Sequence, residues 1–184
     1  YNLALTAKVP AKSNPARLQD LARFQQQALL RIGETEARLE QWQASQKAYE
    51  QFIKVNPKHI LIRTAFQGLG WAMQNQENYP GAIESLGKAV ADGTRDDVGA
   101  RAQFLLGECY LEQENYDKAI IEFSKVEALY AFPAWQSKAA YEMAQSFLRQ
   151  DDRDGARRQF QRLVKSYPDT TAAALAKSEL KRLN

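Results

Sequence analysis

Apolar residues along this chain recur at spacings of three and four rather than two. Phe104, Leu105, Cys109, Tyr110 and Leu111 form one such run, and Ala119, Ile120, Phe123, Val126 and Leu129 form the next. That period places apolar side chains on one stripe of a helix. The best strand candidate, residues 1–10, alternates imperfectly and runs into Pro10, so residues 1–14 read as an extended N-terminal arm. The first helix is expected to start at Pro15, capped by Ser13 or Asn14. Its face of Leu18, Leu21, Ala22, Leu29 and Ile32 carries it to about Leu39. Further helices are expected at about 42–55, 60–75, 79–91, 97–112, 116–129, 134–149 and 153–166. Pro80 and Pro133 fall near helix starts, whereas Asn56-Pro57 and Tyr167-Pro168 end helices. Asp169 or Thr170 is expected to cap a last helix ending near Leu183.

A fixed step runs through this pattern. Successive steps of 37 from Gly33 reach Gly70, Gly107 and Ala144, all small. Twelve residues on stand Ser45, Ala82, Ala119 and Ala156, again small, and four further Tyr49, Leu86, Phe123 and Phe160, all large and apolar. Trp42, Tyr79 and Tyr116 fill another column, which Arg153 breaks. Glycine inside a helix costs about 0.5–1 kcal/mol relative to alanine, so three at one repeated position imply close helix–helix approach. The large residue is expected to fill the groove between helix pairs. Lys181 ends the small column, so the last helix reads as a solvating cap.

At these residues the sequence resembles the tetratricopeptide repeat family, whose repeat is usually about 34 residues. Ala100 to Ala131 fits that pattern through Gly107, Tyr110, Ala119 and Phe123, and Ser137 to Pro168 through Ala144, Phe147, Ala156, Phe160 and Pro168. The resemblance implies an all-α, right-handed α-solenoid of about four helix pairs with a C-terminal capping helix. Its units would lie at about 26–62, 63–99, 100–136 and 137–168, with the cap at 169–184, all within an array over residues 15–184. The longer 37-residue unit and the ending from Ser166 to Lys177 look like bacterial cell-envelope members of the family, periplasmic or outer-membrane-associated.

In such arrays the first helix of each pair lines the inner face. The resemblance then implies a groove offering Gln27, Leu30, Glu34, Ala37 and Arg38 in the first unit, and Thr64, Gln67, Trp71, Gln74 and Asn75 in the second. The third offers Arg101, Phe104, Glu108, Leu111 and Glu112, and the fourth Lys138, Tyr141, Gln145, Leu148 and Arg149. Aromatic anchors among amides and mixed charges suit an extended peptide or helix. Trp71, Phe104 and Tyr141 are the candidate anchors; the alternative is that they pack on neighbouring units. The Lys, Asn and Arg clamp by which chaperone-binding members grip a carboxylate is missing from the matching positions.

Charge changes little. The 25 basic and 22 acidic residues leave +3, too small an excess to suggest nucleic acid. One cysteine allows no internal disulfide, and no apolar run approaches a membrane span. His59 has no metal-spaced partner, and Cys109 reads as a packed thiol. Glu34 with Glu36, or Glu108 with Glu112, reads as ordinary helix-surface acid. No catalytic, cofactor or metal site is expected. One cluster is lopsided: Arg149, Arg153, Arg157, Arg158, Arg162 and Lys165, partly neutralised by Asp151, Asp152 and Asp154. It reads as a solvated face, with a docking patch for an acidic partner or membrane head groups as the alternative. The chain opens on Tyr1 rather than Met and is expected to be a processed or cut form. The expected function is a non-catalytic scaffold binding a protein or peptide in the concave groove of an envelope complex, with a cytoplasmic location left open. The alternatives are a self-assembling module, hence a homo-oligomer, and a recruiting domain of a larger enzyme.

Overall fold

The repeating step of the sequence becomes a repeating helix–turn–helix in the computed structural model, which describes residues 14–183; the expected arm falls almost wholly outside them. The helices are α1 (Pro15–Arg38), α2 (Trp42–Val55), α3 (Ile62–Gln74), α4 (Tyr79–Val90), α5 (Asp97–Glu112), α6 (Tyr116–Leu129), α7 (Pro133–Arg149), α8 (Arg153–Ser166) and α9 (Thr171–Leu183). No strand occurs among the described residues. Asn14 Oδ1 accepts from Ala16 N at 3.0 Å with Pro15 in the first turn, which is the expected start. Thr170, not Asp169, caps α9, its Oγ1 accepting from Ala173 N at 3.2 Å. α3 begins two residues later than expected. His59 Nδ1 accepts from Leu61 N at 3.1 Å, and the turn it holds delays the first helical residue.

The first turn of each hairpin is the same four times. Glu40, Glu77, Glu114 and Asp151, spaced by the same 37 residues, all adopt positive φ between 57° and 62°. Around each, two backbone bonds close the end of the preceding helix, as in Glu114 N to Leu111 O at 3.0 Å and Asn115 N to Tyr110 O at 2.9 Å. The next residue starts the partner helix. The side chains of Asn78, Asn115 and Asp152 accept from the backbone N–H of Gly81, Lys118 and Gly155. Asn56 and Tyr167, each before a proline, leave the helix at φ −133°, as the Pro57 and Pro168 rings require.

The chain forms two compact bodies that divide between Ser85 and Leu86, inside α4. In the first, α2 packs against α1 and α3, and α1 touches α3. Leu29, Leu30, Tyr49, Phe52, Ala65 and Leu69 form its core. In the second, α5 to α9 pack each on the next, with α5 also on α7 and α7 on α9. One core there gathers Phe104, Phe123, Val126 and Met143; another gathers Ala144, Phe160, Leu163 and Ala176.

The glycine column has a more specific use than backbone approach. A Cβ built on Gly33 would lie 2.8 Å from the Tyr49 ring, and one on Gly107 2.5 Å from Phe123. Each ring therefore seats on the glycine of its own helix pair. The large residue also fills the space between pairs as expected, Phe123 clustering with Ala139 and Met143 of α7. Tyr49 also lies against Gly68 of α3, so it serves both places. The small residue twelve on completes the seat: the Ser45 hydroxyl donates to Gly33 O at 2.8 Å, fully buried.

Candidate groove on the first helices of each pair

Two sets of side chains stand where a groove was expected, one in each body. In the first body, α1 and α3 leave a cavity of about 440 Å³ lined by Gln27, Leu30, Arg31, Glu34, Leu61 and Thr64. Four of these are expected groove residues. They converge because Gln27, Leu30 and Glu34 recur at three and four along α1, while Thr64 stands in the first turn of α3. Arg31 and Leu61 were not foreseen. The Arg31 guanidinium donates to Glu34 at 2.7 Å, and Leu61 is 40% exposed just before α3 begins. An exposed leucine beside a helix start is the signal that could have found it. Ala37 is buried and Arg38 exposed, and neither lines the cavity.

Further along α3, Trp71 is half-buried and meets the Trp42 ring edge-on at 5.2 Å between centroids. Asn75 is exposed, and its amide donates to Trp71 O at 2.8 Å, finishing the helix. Gln74 is half-buried. Gln67 is almost wholly buried, and its amide nitrogen has no hydrogen-bond partner. Such a donor costs about 1–3 kcal/mol of desolvation.

In the second body, Arg101 and Glu108 on α5 and Tyr141 and Gln145 on α7 are half-buried, and Arg149 is exposed. Gln145 Nε2 donates to Tyr141 Oη at 2.8 Å, fixing both side chains. The Tyr141 ring rests on Phe160 at 5.6 Å, and burial, first among several causes, raises its phenol. Phe104 departs from the expected groove. It is drawn into the core between Phe123 and Trp135, each 5.5 Å away, and is only 7% exposed. Trp135 stands nearer the surface, its Nε1 donating to Asp97 at 2.8 Å and Lys138 lying 4.7 Å over its ring. Glu142 was also missed. Burial pushes its carboxyl up to about 7; Glu108 and Glu112 add repulsion and Arg149 opposes them.

Burial, then Glu108 and Glu112, pushes the Cys109 thiol up to about 12, so it stays protonated and unreactive at neutral pH. His59 packs edge-on against Phe52 at 5.3 Å. Among the described residues no group of His, Cys, Asp or Glu could hold a metal ion, and no helix is long and apolar enough to cross a membrane.

Paired helices with a shared turn and seated rings define a helical-hairpin repeat protein, a class that commonly mediates protein–protein interaction. Models of the tetratricopeptide repeat match residues 27–59, 68–133 and 138–170, and the chain belongs to that family. Solved structures agree on the fold. A tetratricopeptide repeat protein from Parabacteroides merdae superimposes with a TM-score of 0.70 at 14% identity, covering 86% of this chain and 59% of that one. MamA from Desulfovibrio magneticus gives 0.69 at 24% identity, over 85% of each chain. YrrB, described as a TPR protein with an unusual peptide-binding site, gives 0.67 at 19% identity over 89% of this chain and 84% of that one. Comparison of the sequence with curated proteins gives no match.

Proposed function

We propose that this protein is a non-catalytic scaffold that holds an extended segment of a partner protein against its first helices, within a bacterial envelope complex. The carrying observation is the cavity between α1 and α3, where apolar Leu30 and Leu61 stand beside Gln27, Thr64 and the Arg31–Glu34 pair. Apolar side chains take a partner's side chain, and amide and hydroxyl groups take its backbone. The peptide-binding site described for YrrB, of the same fold, supports the reading. The envelope setting is supported by the likeness of the 37-residue unit and of the ending from Ser166 to Lys177 to envelope members of the family.

Selection of a random peptide library on the purified protein, with Thr64→Arg for counter-selection, tests the groove. Thr64 lines the cavity, so an arginine there obstructs it. Enriched peptides should bind the variant at least about tenfold more weakly, the worth of roughly 1.4 kcal/mol. Peptides that bind both proteins equally would remove the groove. Fractionation of native cells tests the setting, and recovery with the cytosol alone would rule out the envelope.

A further inference from the structure

Helix α7 has a second working face. Met143 and Phe147, one turn apart, lie on the far side of the helix from Tyr141 and Gln145. They form the apolar floor of a separate cavity of about 550 Å³ in the second body. Ser124 and Ala128 of α6, both exposed, stand at one wall, and Arg162 of α8 at the other.

We propose that this cavity binds an acidic segment of a protein partner, one large apolar side chain seated over Met143 and Phe147 and flanking carboxylates on Arg158, Arg162 and Lys165. The floor suits such a side chain, since Met143 is adaptable and Phe147, half-buried, offers a ring. The three cations recur at four and three along α8 and so form one strip. Among the described residues Arg158 and Lys165 are exposed and have no ion pair. Their neighbour Arg157 is already engaged, with Asp154 at 2.7 Å and Leu183 O at 2.7 Å.

Glu127, the one carboxylate lining this cavity, does not spoil the match. Its side chain is 14% exposed, and it accepts from Arg162 and, at 3.4 Å, from Gln159. Burial raises its carboxyl above the ordinary range, and Arg162 and Gln159 oppose that shift. One nitrogen of Arg162 is held inward while the side chain remains 55% exposed, leaving guanidinium donors for an incoming carboxylate. Exposed Arg158, Arg162 and Lys165 thus set positive charge beside an apolar floor. This site is independent of the groove between α1 and α3.

The probe is a short fluorescein-labelled peptide with a central Leu-Phe pair flanked on both sides by Glu-Glu, added to the full chain. Fluorescence anisotropy should show binding that weakens with salt. Amide shifts should fall at Ser124–Ala128 and Gln159–Tyr167. The double variant Arg158→Glu, Lys165→Glu should bind about tenfold more weakly or worse. Ala128→Trp, at an exposed wall position, should block binding without unfolding the chain. Peptides with Lys for Glu, or Ser for Leu-Phe, should fail, while Thr64→Arg should leave binding unchanged. Absence of binding, indifference to Ala128→Trp, or shifts confined to the Tyr141 and Gln145 face would overturn the proposal. So would capture of phosphatidylserine vesicles, dependent on Arg158 and Lys165, by a protein that ignores the peptide.

Discussion

The ring of Phe123 occupies the space that a side chain on Gly107 would need, 2.5 Å from where its Cβ would stand. Phe123 is fully buried and meets Phe104 besides, so it has nowhere to retreat. Gly107→Ala should therefore destabilise the fold by about 2 kcal/mol, the usual cost of overpacking, despite the better helix propensity of alanine. Gly87 of α4 is the control, because a Cβ there meets nothing within 4 Å. Gly87→Ala should stabilise by about 0.5–1 kcal/mol. Urea titrations of the two variants check both signs.

The four positive-φ turn residues give a second opposition. Glu114 holds φ 57° at the end of α5, where its charge also opposes the helix dipole. A left-handed conformation strains any residue with a Cβ, and a β-branched one most. Glu114→Gly should stabilise by up to about 1 kcal/mol, and Glu114→Val should destabilise. Thermal melts at neutral pH decide it, and equal melting of the two would mean that the turn is not strained.

Glu142 links stability to pH. Its carboxyl sits at about 7 in the fold, against an ordinary value of 4.5, chiefly through burial. Between those values the folded chain holds a proton that the unfolded chain has released, so stability falls as pH rises through that window. Below the window, and again above it, this group adds no slope. Glu142→Gln should flatten the decline and exceed wild type in stability by about 2 kcal/mol at pH 8. Denaturant midpoints at pH 5 and pH 8 measure the difference.

Much of the helical frame was legible because one period governed several columns at once. The step of 37 placed Trp42, Tyr79, Tyr116 and Arg153 at helix starts, and all four stand there. Glu40, Glu77, Glu114 and Asp151 were in the same register and went unread, because an acidic residue is no signature of positive φ. Groove faces were harder. Phe104 matched a lining position only through the family resemblance. Its burial depends on Trp135, from the next helix pair, which no pattern within one repeat reveals. The pocket beside Arg162 was visible only as a basic cluster. The apolar floor comes from Met143 and Phe147 of α7 and the near wall from Ser124 and Ala128 of α6, and spacing within the cluster does not show that α8 brings Arg162 beside them.

Trp71 is both a packing residue and a candidate anchor, and its partner separates the two roles. Trp42 and Trp71 share one edge-on contact, worth about 0.5–1.5 kcal/mol beyond the area buried. Trp42→Ala and Trp71→Ala both remove it, so both should lower stability. Trp42 belongs to α2, a second helix, and Trp71 to the row of first-helix residues expected to face a partner. If Trp71 also touches the bound segment, its truncation should weaken binding of library-selected peptides by about tenfold or more, as for an interface hot spot. Trp42→Ala should weaken it only through any loss of folded protein. Affinities of the two variants, corrected for the folded fraction, read the contrast directly. Equal losses would assign Trp71 to packing alone and leave the cavity beside Leu30 and Thr64 to hold the partner.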